Sequence, residues 1–249
     1  MDPEVSVVIP VYRNAETLAE LHRRLSRVLT GAGLSFEILL IDDACPAGSL
    51  AVAEALARGD GRVAVVALAA NVGQHRAVLA GLAQARGAWT VIMDADLQDP
   101  PEAIPRLLQK GQEGFAAVFA GRRGGYESAG RLLTSRLFKR VLHWLCGLPP
   151  DAGLFVALNR PLAKHLLQMR GPAPMVVAMI GCSGFPAASI PVTRAIRPVG
   201  SSAYNSWGRL RSAWRGIAWV LARKHCPGFP AEPATGSPPI KAFIGDRFG

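Results

Sequence analysis

Short runs of β-branched and other apolar residues alternate with helix-patterned stretches through the first half of this sequence. The runs at 5–11, 36–42, 62–69, 88–94 and 115–121 are apolar on both faces. That is the pattern of strands covered by helices on two sides, as in a parallel sheet. Helical periodicity fills the intervals at 16–29, 49–58, 74–86 and 101–112. A βαβα series of this kind predicts an α/β, doubly wound, mostly parallel sheet with a Rossmann-like first half. Ligands of such sheets bind beyond the carboxyl ends of the strands. Those ends carry Pro10-Val11-Tyr12, Asp42-Asp43, Asn71-Val72-Gly73 and Asp94-Ala95-Asp96.

Past Gly121 the pattern changes. A turn at Gly124-Gly125 leads to a basic amphipathic helix over 128–145, a strand over 154–158 and a helix over 161–169. A further apolar segment (175–180), a strand over 189–194, a Pro/Gly/Ser loop and a helix from 205 to about 224 follow. From Cys226 onward proline and glycine dominate without periodicity, which predicts a loosely ordered tail. The expected organisation is one catalytic domain over 1–225, comprising a nucleotide-binding half (5–122), an acceptor half (123–204) and the basic helix (205–225), followed by the tail at 226–249.

The net charge of +10 predicts attraction to polyanions, either phosphorylated substrates or anionic lipid. Nucleic acid is not expected, because no reading motif accompanies the charge. The four cysteines are scattered without a Cys-x-x-Cys pair, which argues against a zinc knuckle or disulfide framework and for a reduced, cytoplasmic compartment. No signal peptide is evident at the start, and no apolar run reaches the roughly 18 residues a spanning helix needs. Membrane contact is therefore expected to be peripheral.

Asp94 closes a strand and Asp96 lies two residues on, so both carboxylates can face one side of the sheet edge. Such a pair suits a hard divalent cation, Mg²⁺ or Mn²⁺, which completes its shell with water and substrate phosphate. Asp96 is expected on an exposed strand-end loop. The competing reading is an ordinary strand end followed by an Asp helix cap, since Asp99-Pro100-Pro101-Glu102 is a good helix start. No nucleophile elbow, Walker loop or dinucleotide fingerprint occurs. His75 reads as a packed or capped helix residue, and the other histidines lack metal-ligand spacing.

The stretch Asp94-Ala95-Asp96-Leu97-Gln98-Asp99-Pro100-Pro101-Glu102 resembles the signature of family 2 glycosyltransferases, in particular the polyprenyl-phosphate (dolichol-phosphate mannosyltransferase-like) branch. Pro10-Val11-Tyr12, Ile41-Asp42-Asp43, Asn71-Val72-Gly73-Gln74, Gly121-Arg122, the set Gly153, Phe155 and Arg160, and the loop Arg197 to Tyr204 resemble further family motifs in the same order. The resemblance implies a GT-A fold and inversion at the anomeric carbon, with a UDP-, GDP- or dTDP-sugar as donor. It also implies a divalent cation held by Asp94 and Asp96. Pro10, Tyr12, Ile41 and Asp43 would hold the nucleoside. Ala95, Gln98, Arg122 and Arg197 would serve the cation and phosphates. Without the resemblance, Tyr12 reads equally well as core and either arginine as solvated surface.

Departures fall mostly on the acceptor side. Asn14 stands where the family has glutamate, Ala203 where it has a loop lysine, and Leu154 and Val156 flank Phe155 in place of polar and basic residues. If the acceptor is a polyprenyl phosphate, its oxygen is already ionised. If it is a saccharide, lipid or other hydroxyl, a base is required. Asp151 is the acid nominated for that role, and it reads equally as a turn residue after Pro149-Pro150. A third reading is a non-catalytic nucleotide-sugar-binding module. On a helical wheel, Trp207, Leu210, Trp214, Ile217 and Leu221 oppose Arg209, Arg211, Arg215 and Arg223, with Trp219 among the arginines. That arrangement predicts an interfacial helix on an anionic membrane surface, and Arg131, Arg136, Lys139 and Arg140 could add a second contact. The protein is thus expected on the inner face of the membrane.

Overall fold

The computed structural model describes residues 2–123, 143–169, 174–194 and 239–246, with Arg122 and Arg123 described by backbone alone. Strand β1 (Val5–Val11) lies near the centre of one eight-stranded sheet. β2 (Phe36–Asp42) and β4 (Trp89–Ile92) flank it in parallel, and β3 (Val63–Leu68) pairs with β2, also in parallel. The chain therefore winds outward from β1 to β3 on one side, then returns to β4 on the other. β6 (Val156–Asn159) runs antiparallel between β4 and β5 (Ala117–Arg123), and β7 (Ala187–Thr193) lies parallel to β5 at the edge.

Both faces of β1 are buried, as its uninterrupted apolar run requires. Val7, Ile9 and Val11 pack with Leu18, Leu21, Leu25 and Leu29 of helix α1 (Ala15–Gly31), and with Ala53 and Ala57 of α2 (Ser49–Gly59). The leucines recur at three- and four-residue spacing, so they form one stripe. Val8 faces the other way, toward Ala77 and Ala80 of α3 (Gln74–Gln84). A Cβ on Gly81 of α3 would stand 2.4 Å from Val8 Cγ1, so the missing side chain is what lets this helix lie close on the sheet.

The expected βαβα order forms. The 101–112 helix divides into a 3-10 turn at Pro101–Ala103 and α4 (Ile104–Gly111), where Pro105 falls in the first turn, the place a helix tolerates proline. The apolar segment without an assignment becomes α6 (Val176–Cys182), which packs with α5 (Arg160–Gln168) and α3 on one face of the sheet. Its first five residues are buried, and such a short apolar run carries no periodicity to read.

One expectation is corrected. Part of the segment read as a loosely ordered tail is strand β8 (Ile240–Ile244), antiparallel to β3 and closing the sheet's second edge. Its order comes from β3's otherwise open backbone edge and from Ile240 and Ile244 packing on the core, a tertiary cause that composition does not display. Of the helix expected over 128–145, residues 143–146 are described and are helical. The helix over 205–224 and the loop Arg197 to Tyr204 lie outside the described residues. Among the described residues, no helix is long and apolar enough to cross a membrane.

Candidate active site at the carboxyl edge of the sheet

The strand order reverses between β1 and β4, and the carboxyl ends of strands at such a switch point are the place where ligands bind in doubly wound sheets. β4 pairs with β1 as far as Ile92, and the amide of Met93 still donates to Val8 O at 3.2 Å. Asp94 is the first residue to leave the sheet.

The turn that follows is tied from three directions. Thr17, in the first turn of α1, donates its hydroxyl to the Ala95 carbonyl at 2.6 Å. Asp96 accepts the Gln98 amide at 3.1 Å, closing a local turn in which Leu97 takes a left-handed φ of 62°. Asp94 Oδ1 accepts from Gln74 Nε2 at 2.6 Å, so the start of α3 fixes the first carboxylate. The position expected for Asp96 is corrected here: the residue is only 8% exposed. Ala95 and Leu97 pack into the core with Leu18 of α1, and this draws the loop inward.

Asp99 does not cap the helix after it, since no side-chain bond caps the 3-10 turn. Its Oδ1 instead accepts Arg194 Nε at 2.7 Å, while its Oδ2 is buried without a hydrogen-bond partner. The same guanidinium reaches Gln98 Oε1 at 3.3 Å and Asp94 Oδ2 at 3.5 Å. Arg24 of α1 grips Glu102 with two bonds of 3.1 and 2.6 Å, anchoring the far end of the loop.

On the nucleoside side, Pro10 is buried in β1 opposite Ile41, and Ile41 is itself wholly enclosed in the core with Val8 and Ala77. Tyr12 is half-buried at the strand end, with the Arg13 guanidinium 5.4 Å from its ring centre. Asn14 accepts the Tyr12 amide at 3.2 Å, and its own amide donates to Ser49 Oγ, so this residue shapes the turn after β1. Asp43 accepts the amides of Val72 and Gly73 at 2.7 and 3.0 Å, one on each oxygen, and thereby braces the loop before α3. Asp42 accepts the Cys45 amide on one oxygen and has the other buried without a partner. Burial raises both acids from their ordinary value, against the lowering effect of those amide bonds. The unanswered acceptor at this edge therefore belongs to Asp42 rather than to Asp43.

On the acceptor side, Asp151 lies against the end of β5. Its Oδ2 accepts Ser189 Oγ at 2.9 Å, and its Oδ1 is buried without a partner. A Cβ on Gly121 would fall 1.9 Å from Asp151 Oδ2, so only glycine leaves room for this carboxylate. Leu154, Phe155 and Val156 are all buried, and Arg160 points to the opposite edge of the sheet, where it pairs with Asp2 at 2.9 Å. The backbone of Arg122 pairs with Val192. The Arg122 side chain and Arg197 lie outside the described residues. His75 sits second in α3 with Nδ1 enclosed and unpartnered; burial pushes its pKa down to about 4, so the ring is neutral near pH 7.

The donor set at Asp94 and Asp96 suits a hard cation. Both donors are carboxylate oxygens, and among the described residues no group of three or more acidic, histidine or cysteine ligands gathers to form an all-protein cage. Two protein oxygens with the remaining positions filled by water and phosphate is the habit of Mg²⁺ and Mn²⁺. A guanidinium already reaches Asp94, so the position attracts positive charge. Sequence alone does not mark Thr17, Gln74 or Arg194 for these contacts; its one signal is that Arg194, like Asp94, follows a strand at the carboxyl edge.

The family model described as "Glycosyl transferase family 2" matches residues 6–167. An undecaprenyl-phosphate 4-deoxy-4-formamido-L-arabinose transferase of Salmonella paratyphi B is 35% identical over 205 residues, which are 81% of this chain and 63% of that protein. The chain thus spans less than two thirds of the curated relatives it matches. Among solved structures, a mannosyltransferase of Pyrobaculum calidifontis, in complex with GDP-Man and Mn²⁺, superposes with a TM-score of 0.63 at 21% identity, covering 94% of this chain and 67% of the other. Mannosyl-3-phosphoglycerate synthase of Rubrobacter xylanophilus does so with a TM-score of 0.67 at 18% identity, covering 94% and 78%. These likenesses give the sheet its place among GT-A folds. With the switch-point aspartates, the order of the motifs and the family model's span in agreement, the chain belongs to glycosyl transferase family 2.

Proposed function

We propose that this protein is an inverting glycosyltransferase that moves a sugar from a nucleotide-diphosphate donor to a polyprenyl phosphate of the undecaprenyl type at the membrane surface. The observation that carries the reading is the Asp94-Ala95-Asp96 turn, held at the switch point by Thr17 and Gln74. The 35% identical relative named as an undecaprenyl-phosphate sugar transferase supports the acceptor class, and the Mn²⁺ named with the Pyrobaculum mannosyltransferase supports the cation.

Asp94 and Asp96 would hold Mg²⁺ or Mn²⁺, which when bound offsets the charge developing on the departing nucleoside diphosphate. Tyr12 offers an aromatic face to the base, and Asp42 offers the free acceptor for a base N–H or ribose hydroxyl. The family resemblance assigns that acceptor role to Asp43, whose oxygens each retain a lone pair beyond the amide they hold. Arg122 and Arg197 supply guanidinium forks for phosphate oxygens. An acceptor phosphate oxygen attacks the anomeric carbon from the face opposite the leaving group; the new C–O bond forms as the bond to the diphosphate breaks. A phosphate monoester is ionised at neutral pH, so no side chain has to take a proton.

A second reading, transfer to a hydroxyl acceptor, is favoured by one observation: Asp151 keeps a buried, unanswered oxygen at the same edge and would serve as the base. The charge of +10 and the sequence pattern at 205–224 support peripheral attachment to an anionic inner membrane face. The deciding experiment offers UDP-, GDP- and dTDP-sugars with and without polyprenyl phosphate. Cation-dependent, chelator-sensitive transfer to the lipid phosphate is expected. Transfer at full rate to soluble hydroxyl acceptors, with the lipid phosphate ignored, would replace the first reading by the second.

A further inference from the structure

Arg194 crosses a long way to reach the donor site. It follows β7, which stands three places from β4 in the sheet order, yet its guanidinium contacts three side chains of the loop after β4. The contacts are unequal. The 2.7 Å bond from Nε to Asp99 is short, and Asp99 has a side chain only 2% exposed, so this pair anchors the arginine. The approach of Nη2 to Asp94 is a loose 3.5 Å. An arm fixed at Nε and loosely held at its tip leaves Nη1 on Gln98 and Nη2 beside Asp94, one of the two carboxylates assigned to the cation. The side chain is 18% exposed, so the charge is poorly screened by water.

We infer that Arg194 is the internal counter-ion of the donor site, a positioning residue that stands at Asp94 before loading and turns Nη2 to a donor phosphate oxygen once Asp94 engages the cation. This inference rests on the reading of the chain as a cation-dependent nucleotide-sugar enzyme. Its chemistry has two opposed consequences. A fixed guanidinium repels a divalent cation entering beside it, and so weakens binding of the cation alone. The same guanidinium donates to diphosphate, and so strengthens binding of the nucleotide once the cation is in place. A merely structural clamp on the loop would produce neither opposition.

The test uses the full chain and the double variant Arg194→Gln with Asp99→Asn. Arg194→Gln alone strands a buried carboxylate and threatens folding, whereas the double variant replaces the ion pair by a neutral amide pair. Binding of MnCl₂ alone is measured by electron paramagnetic resonance and calorimetry, then binding of UDP and of GDP at saturating Mn²⁺. Read against Asp99→Asn alone, so that only the guanidinium differs, the expected result is Mn²⁺ binding tightened by about threefold as a nearby positive charge is lost. Nucleotide binding is expected to weaken by about tenfold or more as a charge-assisted donor is lost. Opposite movement of the two constants supports the inference; no movement, or movement of both in one direction, overturns it. If the unaltered protein binds neither Mn²⁺ nor nucleotide, the underlying reading of the site fails instead, and the two failures are told apart by that control.

Discussion

Thr17 Oγ1 lies 2.6 Å from the carbonyl oxygen of Ala95, a hydrogen bond between residues 78 apart in sequence that fixes the turn between Asp94 and Asp96 to the first helix. The carbonyl is buried, so its loss of a donor is felt as a desolvation penalty of about 1–3 kcal/mol. Thr17→Val keeps the shape and removes the donor. The expected outcome is a modest fall in melting temperature accompanied by a larger fall in transfer rate and in Mn²⁺ affinity, because the turn that sets both carboxylates is loosened. Equal rate and affinity in the variant would show that the turn holds its shape without the helix.

Asp96→Asn tests the cation assignment without disturbing the turn, since an amide oxygen can still accept the Gln98 amide. A side chain this buried makes Asp96→Ala a poorer probe, because it also removes the local turn bond. Circular dichroism should be unchanged. Cation-dependent donor binding and transfer should fall on the order of a hundredfold or more, the loss expected when an electrostatic contribution of several kcal/mol is withdrawn. Activity that persists in the presence of chelator would remove the metal role from this residue.

The sequence displayed the parts of this molecule that depend on local pattern. Val5–Val11 and Phe36–Asp42 are apolar at nearly every position, and both strands form over the expected ranges. Asp94 and Asp96 were legible because their motif is contiguous. What sequence could not display are pairings made across the sheet. The bonds from Thr17 to Ala95 and from Arg194 to Asp99 join residues far apart in the chain, and neither residue type is unusual where it stands. The same holds for Asp43, which its motif leads one to expect at the nucleoside and whose bonds to the Val72 and Gly73 amides sequence does not display. β8 is illegible in sequence for a related reason, since a five-residue edge strand acquires its partner only when β3 is in place.

His75 gives a pH signature of folding. Its ring is held neutral with a pKa pushed down from 6.5 to about 4, so the unfolded chain takes up a proton below pH 6.5 that the folded chain refuses until about pH 4. Stability therefore falls as pH drops through this window and rises as pH is raised through it, by up to about 3 kcal/mol. His75→Phe keeps a ring in place and removes the titration. Urea unfolding at pH 7 and pH 5 should show a smaller difference in the variant than in the parent; an unchanged difference would assign the pH dependence to other groups.

Gly121 and Asp151 decide between the two acceptor classes. A Cβ at Gly121 would overlap Asp151 Oδ2 at 1.9 Å, so Gly121→Ala must drive the carboxylate away from its bond with Ser189. Asp151→Asn instead leaves the side chain in place and removes its ability to accept a proton. If a lipid phosphate is the acceptor, the nucleophile is already ionised, and Asp151→Asn should retain transfer to within about tenfold, with no new dependence on pH between 7 and 9. If a hydroxyl is the acceptor, a positioned base contributes on the order of a hundredfold or more, and both substitutions should lower the rate by that amount while donor binding is preserved. Comparing the two variants also separates position from protonation. A defect in Gly121→Ala alone would mean that the carboxylate shapes the acceptor crevice through the β5 edge, and a defect shared by both would make Asp151 the group that takes the proton.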